Sequence, residues 1–382
     1  MAYFDNAATT YPKPESVCVF ADKFYREFGV NVGRGQHKQA SIANKLRNET
    51  RALLLDLFHR PAKKAVFTHS ATEAINVILQ GLDISYNSNV YLSPFEHNAV
   101  TRVIHYLQSV YRLNVKTLAV DKGTLTYDLE RIKYQFAEEK PHYVVVSHAS
   151  NVCGLIAPIK EICELSKAYN AINIIDMAQT AGLIDTDISS NIFDFVVFAG
   201  HKALYAPLGI AGFICNGNAV LKPLMFGGTG NDSGNQNPPT TIPEIYEVGS
   251  PNIAAIAGLN AALKWISETD MKNIYEAEHN NHLELLSVLR GFRNITIIGC
   301  SDINKSIGVV SCLFDGYSSD NIGQILSECD IAVRTGLHCA PCAHEFLDTF
   351  PEGTVRFSVS YFNTQEDFDK LREALQYIAN NS

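Results

Sequence analysis

From about residue 64 onward, short β-branched runs alternate with amphipathic helical patterns, and this alternation limits the fold more than any other feature of the chain. Ala65-Val-Phe-Thr, Val90-Tyr-Leu-Ser, Val115-Lys-Thr-Leu-Ala-Val, Tyr143-Val-Val-Val-Ser, Ile172-Asn-Ile-Ile, Phe193-Asp-Phe-Val-Val-Phe and Gly212-Phe-Ile-Cys read as strands. Helical patterns over 71–82, 99–111, 129–139 and 159–169 fill most of the intervals between them. Strands separated by helices predict an α/β fold with a mostly parallel, seven-stranded sheet covered on both faces. In such a sheet, ligands gather at the carboxyl ends of the strands. The 382 residues are too many for one ordinary core, so a second, smaller α+β domain is expected. The expected division is 16–262 for the large domain, with 1–15 and 263–382 forming the small one.

The formal net charge of −9 argues against non-specific binding to nucleic acid or to an anionic membrane, both of which want basic patches. The start, Met1-Ala-Tyr-Phe-Asp-Asn, has no basic region leading into an apolar run. No segment offers the roughly 18 uninterrupted apolar residues of a membrane span. The nine cysteines are an odd number and sit mostly in apolar surroundings, which suits buried, reduced thiols in a cytoplasmic protein. Residues 227–243 are polar and Gly-rich, and read as an exposed or partner-contacting loop.

Polar residues cluster where the strands should end. Ser70-Ala71-Thr72 opens a helix, whose free N–H groups and dipole make an anion site to which the Thr72 hydroxyl adds a donor. Glu96-His97-Asn98 follows the second strand, and the histidine there could stack on an aromatic ligand or simply cap the next helix. The fourth strand leads into Ser150-Asn151-Val-Cys-Gly, and the fifth into Asp176-Met-Ala-Gln179. An Asp directly after an apolar run is costly to bury without a cationic partner, and a protonated pyridine nitrogen is such a partner. The sixth ends in Gly200-His201-Lys202. A lysine at a buried strand end loses hydration, so its amine is nucleophilic near neutral pH. An anion site, a stacking His, a buried Asp and a desolvated Lys together meet the needs of pyridoxal 5'-phosphate (PLP), with Lys202 holding its aldehyde.

On these residues the chain resembles the class V aminotransferase superfamily, and within it the cysteine desulfurases and selenocysteine lyases. The resemblance is carried by Phe4-Asp-Asn-Ala-Ala-Thr-Thr, Arg34-Gly-Gln-His37, Ala71-Thr-Glu-Ala-Ile-Asn, Glu96-His-Asn-Ala, Ser150-Asn-Val-Cys-Gly, Asp176-Met-Ala-Gln, Gly200-His-Lys, Gly249-Ser-Pro-Asn, Arg334-Thr-Gly-Leu-His-Cys-Ala-Pro and Val355-Arg356-Phe-Ser. It implies the PLP-dependent transferase fold, type I. It implies that Lys202 forms the covalent link and Asp176 pairs with the pyridine nitrogen. Asn151 and Gln179 would bond the ring-oxygen side, and His97 would stack on the ring. Ala71, Thr72 and His201 belong to the same cofactor-binding set. Ser250 matches a position that reaches the phosphate of the neighbouring subunit, so a homodimer with shared sites is implied. The sequence departs from the family pattern at Leu337-His338, where many relatives have His-His, at Ala199, where many have Ser, and at Ala71-Thr72, where threonines are paired.

Cys339 decides the expected reaction. Arg334, His338 and His344 lie nearby in sequence and would favour its thiolate. Such a thiolate could take the sulfur of a bound cysteine as a persulfide. Arg356 offers a two-pronged donor for the substrate α-carboxylate, a role the resemblance assigns to it; Arg334 and His37 are further substrate-side candidates. A zinc site from His338, Cys339, Cys342 and His344 is disfavoured, because ligands so crowded do not close a tetrahedron easily. A thioredoxin-like pair at Cys339 and Cys342 is also set aside, since no helix is expected to start there after a strand. The expected function is therefore a cysteine desulfurase that converts L-cysteine to L-alanine and stores the sulfur on Cys339. Alternatives are a selenocysteine lyase, another PLP-dependent C–S lyase, an aminotransferase or, more distantly, a non-enzymatic sulfur or metal carrier. A sulfur-acceptor protein is a further expected partner.

Overall fold

The computed structural model describes residues 1–32, 37–217, 220–228, 234–300 and 302–380. Arg34 to Gln36 and residues 229–233 of the Gly-rich loop therefore lie outside the described residues.

Seven strands form the main sheet. From one edge they run Lys64–Thr68, Ala211–Cys215, Phe195–Ala199, Ile172–Asp176, Tyr143–Ser147, Asn89–Leu92 and Asn114–Thr117. Ala211–Cys215 is antiparallel to both of its neighbours, and the other pairings are parallel. The near-continuous apolar runs follow from burial on both faces. Val144, Val146, Ile175, Val196 and Phe198 pack into one core cluster. Val145, Ile174 and Val197 alternate with them into another. The helices Ala71–Gly81 and Asn98–Tyr111 cover that second face with Ala74, Ile78, Val100 and Ile104. On the first face lie Lys38–Leu57, Ile159–Lys167 and Ile253–Thr269, among others.

A second sheet of four antiparallel strands runs Ile295–Ile298, Val309–Phe314, Thr354–Ser358 and Arg334–Gly336. Met271–Arg290, Ser319–Glu328 and Gln365–Asn380 bury a third cluster against it. We keep the two-domain division as a proposal. Its expected limit at 262/263 falls inside the unbroken helix Ile253–Thr269, so we propose the turn at Asp270 as the junction. Among the described residues no helix is long and apolar enough to cross a membrane. The nine cysteines are unpaired; Cys153, Cys163, Cys215 and Cys312 are buried, but Cys18 is exposed and Cys300 and Cys329 are only half-buried.

Candidate active site

The carboxyl ends of the parallel strands open on one side of the sheet, where a cavity of about 220 Å3 is found. Its walls include Ser70, Ala71, Thr72, His97, Asn151, Asp176, Gln179, His201 and Lys202 from the large sheet and its loops. Arg334, His338 and Arg356 enter from the small sheet, and Ala7 and Ala8 from the N-terminal segment. Strand register explains the convergence: Asp176 lies opposite Ser147, and both end their strands.

Lys202 follows the last parallel strand by three residues. Burial lowers its pKa to about 8; Asp176 opposes that shift, while the positive charges of Arg356 and Arg334 reinforce it. Asp176 is 8% exposed, and its carboxylate accepts the Ala178 N–H at 2.9 Å. No ion pair to it is formed among the described residues, and burial raises its pKa. His97 caps the helix Asn98–Tyr111, its Nδ1 accepting the Ala99 N–H at 3.0 Å. Burial, then Lys202 and the arginines, lower its pKa to about 4. The ring is thus neutral, with its proton on Nε2. Asn151 donates to the His338 carbonyl at 2.7 Å, and Gln179 donates to that of Ala7 at 3.0 Å. His201 Nδ1 is buried without a partner among the described residues. Ser70 Oγ accepts the Glu73 N–H at 3.1 Å, which leaves its own proton to donate.

Arg334 and Arg356 face each other across adjacent strands. Like charges directly opposed destabilise a sheet, so the pairing asks for an anion. Asp5 supplies part of it, at 2.7 Å from the 1%-exposed Arg356. A second nitrogen of Arg356 donates to the Asn151 carbonyl at 3.0 Å, yet its buried Nε has no partner among the described residues.

Cys339 sits in a turn whose His338 and Cys339 both have positive φ, 48° and 57°. Its carbonyl accepts the Asn98 N–H at 2.7 Å, so the turn is pinned to the large sheet's side of the site. The thiol lines a second cavity of about 490 Å3 that shares Thr72, His97 and Ala99 with the first. Arg334 donates to Cys339 Sγ at 3.5 Å.

Several expectations need correction. His338 and His344 supply no positive charge to the thiol: burial holds the pKa of both well below the usual histidine range, and their rings bond the Thr354 and Thr349 hydroxyls at 2.8 and 2.7 Å. His37, expected on the substrate side, does not line the Lys202 cavity of its own chain; Ser250, expected at a neighbouring subunit's phosphate, does not line it either. His37 is used as the cap of Lys38–Leu57, accepting from Ala40, and both residues line a separate pocket of about 580 Å3. A helix, Pro341–Phe346, does start within the Cys339/Cys342 pair after the strand Arg334–Gly336, and Cys342 lies on that helix. Two groups escaped sequence reasoning. Asp5 meets Arg356 across 351 residues of chain, and nothing local signals that contact. Glu96 is fully buried between Ser93 Oγ and the Ser147 N–H and Oγ, at 2.5, 2.6 and 2.9 Å, and burial raises its pKa to about 8. Its place beside His97, at the end of an apolar stretch, was the available signal.

Comparison with known proteins gives the family. The profile of the Aminotransferase class-V family matches residues 2–371. A cysteine desulfurase of Escherichia coli O127:H6 is 31% identical over 391 residues, spanning 99% of this chain and 93% of that protein. A probable cysteine desulfurase of Methanothermobacter thermautotrophicus is 29% identical over 384 residues, spanning 99% and 94%. The apo structure of the cysteine desulfurase from Thermococcus onnurineus superposes with a TM-score of 0.92 at 26% identity, covering 100% of this chain and 95% of that one. A second neighbour, a cysteine desulfurase from Escherichia coli, has a TM-score of 0.86 at 24% identity and bears on the fold alone. With its profile matched across nearly the whole chain, the protein belongs to the class-V aminotransferase family.

Proposed function

We propose that this chain is a PLP-dependent cysteine desulfurase that turns L-cysteine into L-alanine and holds the sulfur as a persulfide on Cys339. One observation carries the reading: the Lys202 cavity and the Cys339 cavity share the wall formed by Thr72, His97 and Ala99. A desulfurase needs an amine-bearing floor and a thiol within reach of the same substrate.

The residues fit PLP. Asp176 is a buried carboxylate lacking a cation, which a protonated pyridine nitrogen would supply. The unpartnered His201 Nδ1 and the Ser70 and Thr72 hydroxyls suit the phosphate, and Asn151 and Gln179 the ring oxygen. Lys202 would hold the aldehyde. When bound, PLP supplies an electron sink for charge released at the substrate Cα.

The chain's own groups do the rest. Arg356, with its unpaired Nε, orients the substrate carboxylate beside Arg334. Lys202, released from its covalent role, takes the Cα proton through an amine with a pKa of about 8. His97 offers Nε2–H on the shared wall as a proton donor. Cys339 Sγ bonds to the substrate sulfur as the carbon–sulfur bond breaks. The guanidinium of Arg334 steadies charge on Sγ. L-cysteine and the Cys339 thiol thus give L-alanine and a Cys339 persulfide, with atoms and electrons balanced.

We also propose a cytoplasmic homodimer. His37 and Ser250 line the 580 Å3 pocket together, and exposed Leu224, Met225 and Phe226 lie in the chain near it. A second copy would cover this face and bring Ser250 to the neighbouring phosphate site. The test of function is product analysis of the purified holoenzyme with L-cysteine. Alanine and persulfide in equal amounts support the desulfurase. Pyruvate and ammonia would mean β-elimination, and dependence on a keto acid would mean transamination. Selenocysteine as a competing substrate tests the lyase alternative.

A further inference from the structure

Cys342 has no part in the chemistry described so far, yet it stands three residues from Cys339 on the same folded segment. Two consecutive turns shape that segment. The Ala340 N–H bonds the Leu337 carbonyl at 2.8 Å, and the Ala343 N–H bonds the Ala340 carbonyl at 3.0 Å. Three residues span about 11 Å at full extension, and turns at both ends shorten that distance. The two thiols differ in setting. Cys339 is half-buried on the cavity wall with His97 and Thr72, whereas Cys342, on the helix Pro341–Phe346, is exposed.

We propose that Cys342 is a relay thiol that takes the sulfur from the Cys339 persulfide and presents it at the surface to an acceptor thiol. The inference rests on the desulfurase reading. In the step, the Cys342 thiolate attacks the outer sulfur of the Cys339 persulfide. A new bond joins Cys342 Sγ to that sulfur, the original S–S bond breaks, and Cys339 leaves as a thiolate. One persulfide and one thiol become one thiol and one persulfide, so no oxidant or reductant is consumed.

Two features choose this outcome over attack on the inner sulfur, which would give a Cys339–Cys342 disulfide and hydrogen sulfide. Arg334 stands 3.5 Å from Cys339 Sγ and stabilises the thiolate that must depart. The Cys339 carbonyl accepts from the Asn98 N–H and the His338 carbonyl from Asn151, so the backbone that carries the inner sulfur is held at both residues. Partial loss of hydration and the negative charge of nearby Glu345 raise the Cys342 pKa, so the relay should speed up as pH rises above neutral.

The relay also answers a problem of access. A persulfide on the wall between two cavities is reachable by substrate, but an acceptor protein must find it through the same opening. Moving the sulfur to an exposed helix separates the next substrate from the acceptor.

The experiment is a quenched single turnover of the holoenzyme with 34S-labelled L-cysteine, followed by alkylation and peptide mass spectrometry. The wild type should show label first on Cys339 and then on Cys342. Cys342→Ser should keep all its label on Cys339 and should pass it to dithiothreitol at least several-fold more slowly. Cys339→Ser should carry no label at either position. Label confined to Cys339 in the wild type, or a disulfide between the two cysteines with loss of labelled sulfide, overturns the relay and leaves the desulfurase reading intact. Absence of both alanine and Cys339 label would overturn that reading, and the relay with it.

Discussion

The floor and the rim of the site are built differently. Lys202, Asp176, Asn151 and Gln179 stand at or just beyond the ends of neighbouring strands in the large sheet, where backbone register sets their spacing. Cys339, Arg334 and Arg356 come from the small sheet and a turn with two left-handed residues. Among the described residues Lys202 and Asp176, the floor's charges, form no salt bridge. The rim, where Arg356 is buried but Arg334 and Cys339 are half-buried, is tied down by Asn98, Asn151 and Asp5. The difference suits a reaction in which one half must hold a cofactor still while the other takes up sulfur and gives it away.

This contrast can be broken at its strongest point. Lys202→Ala removes the covalent link and the Cα base together, so alanine formation should fall by on the order of ten-thousand-fold. Borohydride trapping followed by mass spectrometry should find no cofactor adduct. If the adduct persisted, another lysine would be the floor residue. Cys339→Ser attacks the rim alone. Alanine release from L-cysteine should drop by on the order of a thousand-fold, while the visible absorbance of the bound cofactor stays. Loss of that absorbance would show that floor and rim are not separable.

Asp176→Asn is expected to cost about 3 kcal/mol of cofactor-dependent rate, or roughly 160-fold. It should also lower the pKa of Lys202 further, because the Asp176 charge opposes the downward shift to about 8. The pH profile of cofactor capture by the apo-protein reads this directly. Capture by the wild type should rise with a midpoint near pH 8, and the variant's midpoint should lie lower.

Gly353→Ala probes the frame of the rim. Gly353 has φ +72°, and an added Cβ would lie 2.3 Å from the backbone of Gly336, on the strand that carries Arg334. Backbone strain alone costs about 1–2 kcal/mol, and the contact adds to it. Thermal unfolding should show the loss, and KM for cysteine should rise. Unchanged KM would mean that Arg334 is placed by the turn rather than by the strand.

Glu96→Gln has the smallest expected effect and lies on the floor side. The wild-type carboxyl keeps its proton in the fold up to about pH 8, against 4.5 in the unfolded chain. Its contribution is therefore full below pH 4.5 and lost as pH rises through 8. The amide does not titrate, so unfolding measured between those limits should show a shallower fall for the variant. An identical slope would place the proton elsewhere.

Much of the floor was legible in the sequence, because each of its residues follows an apolar run that could only be a buried strand. Strand ends, helix starts and the order of Thr72, His97, Asn151, Asp176 and Lys202 are local facts, and a parallel sheet brings such ends to one side. The rim was legible only as a list. His338 and His344 stand beside Cys339 in the sequence, yet each turns to a threonine hydroxyl. His37 and Ser250 joined the list by resemblance, and in a single chain they face another pocket.

Chemical identity came from the order of residues: which amine, which carboxylate and which thiol the chain has to offer follows from short segments and the hydrophobic runs before them. Distance-dependent matters waited for the tertiary structure. Only packing could set Arg334 against Arg356, bring Asp5 across the chain to share their charge, bury Glu96 and neutralise two histidines. Those effects depend on burial and on separations of a few ångströms between segments far apart in the chain, and no local pattern encodes either.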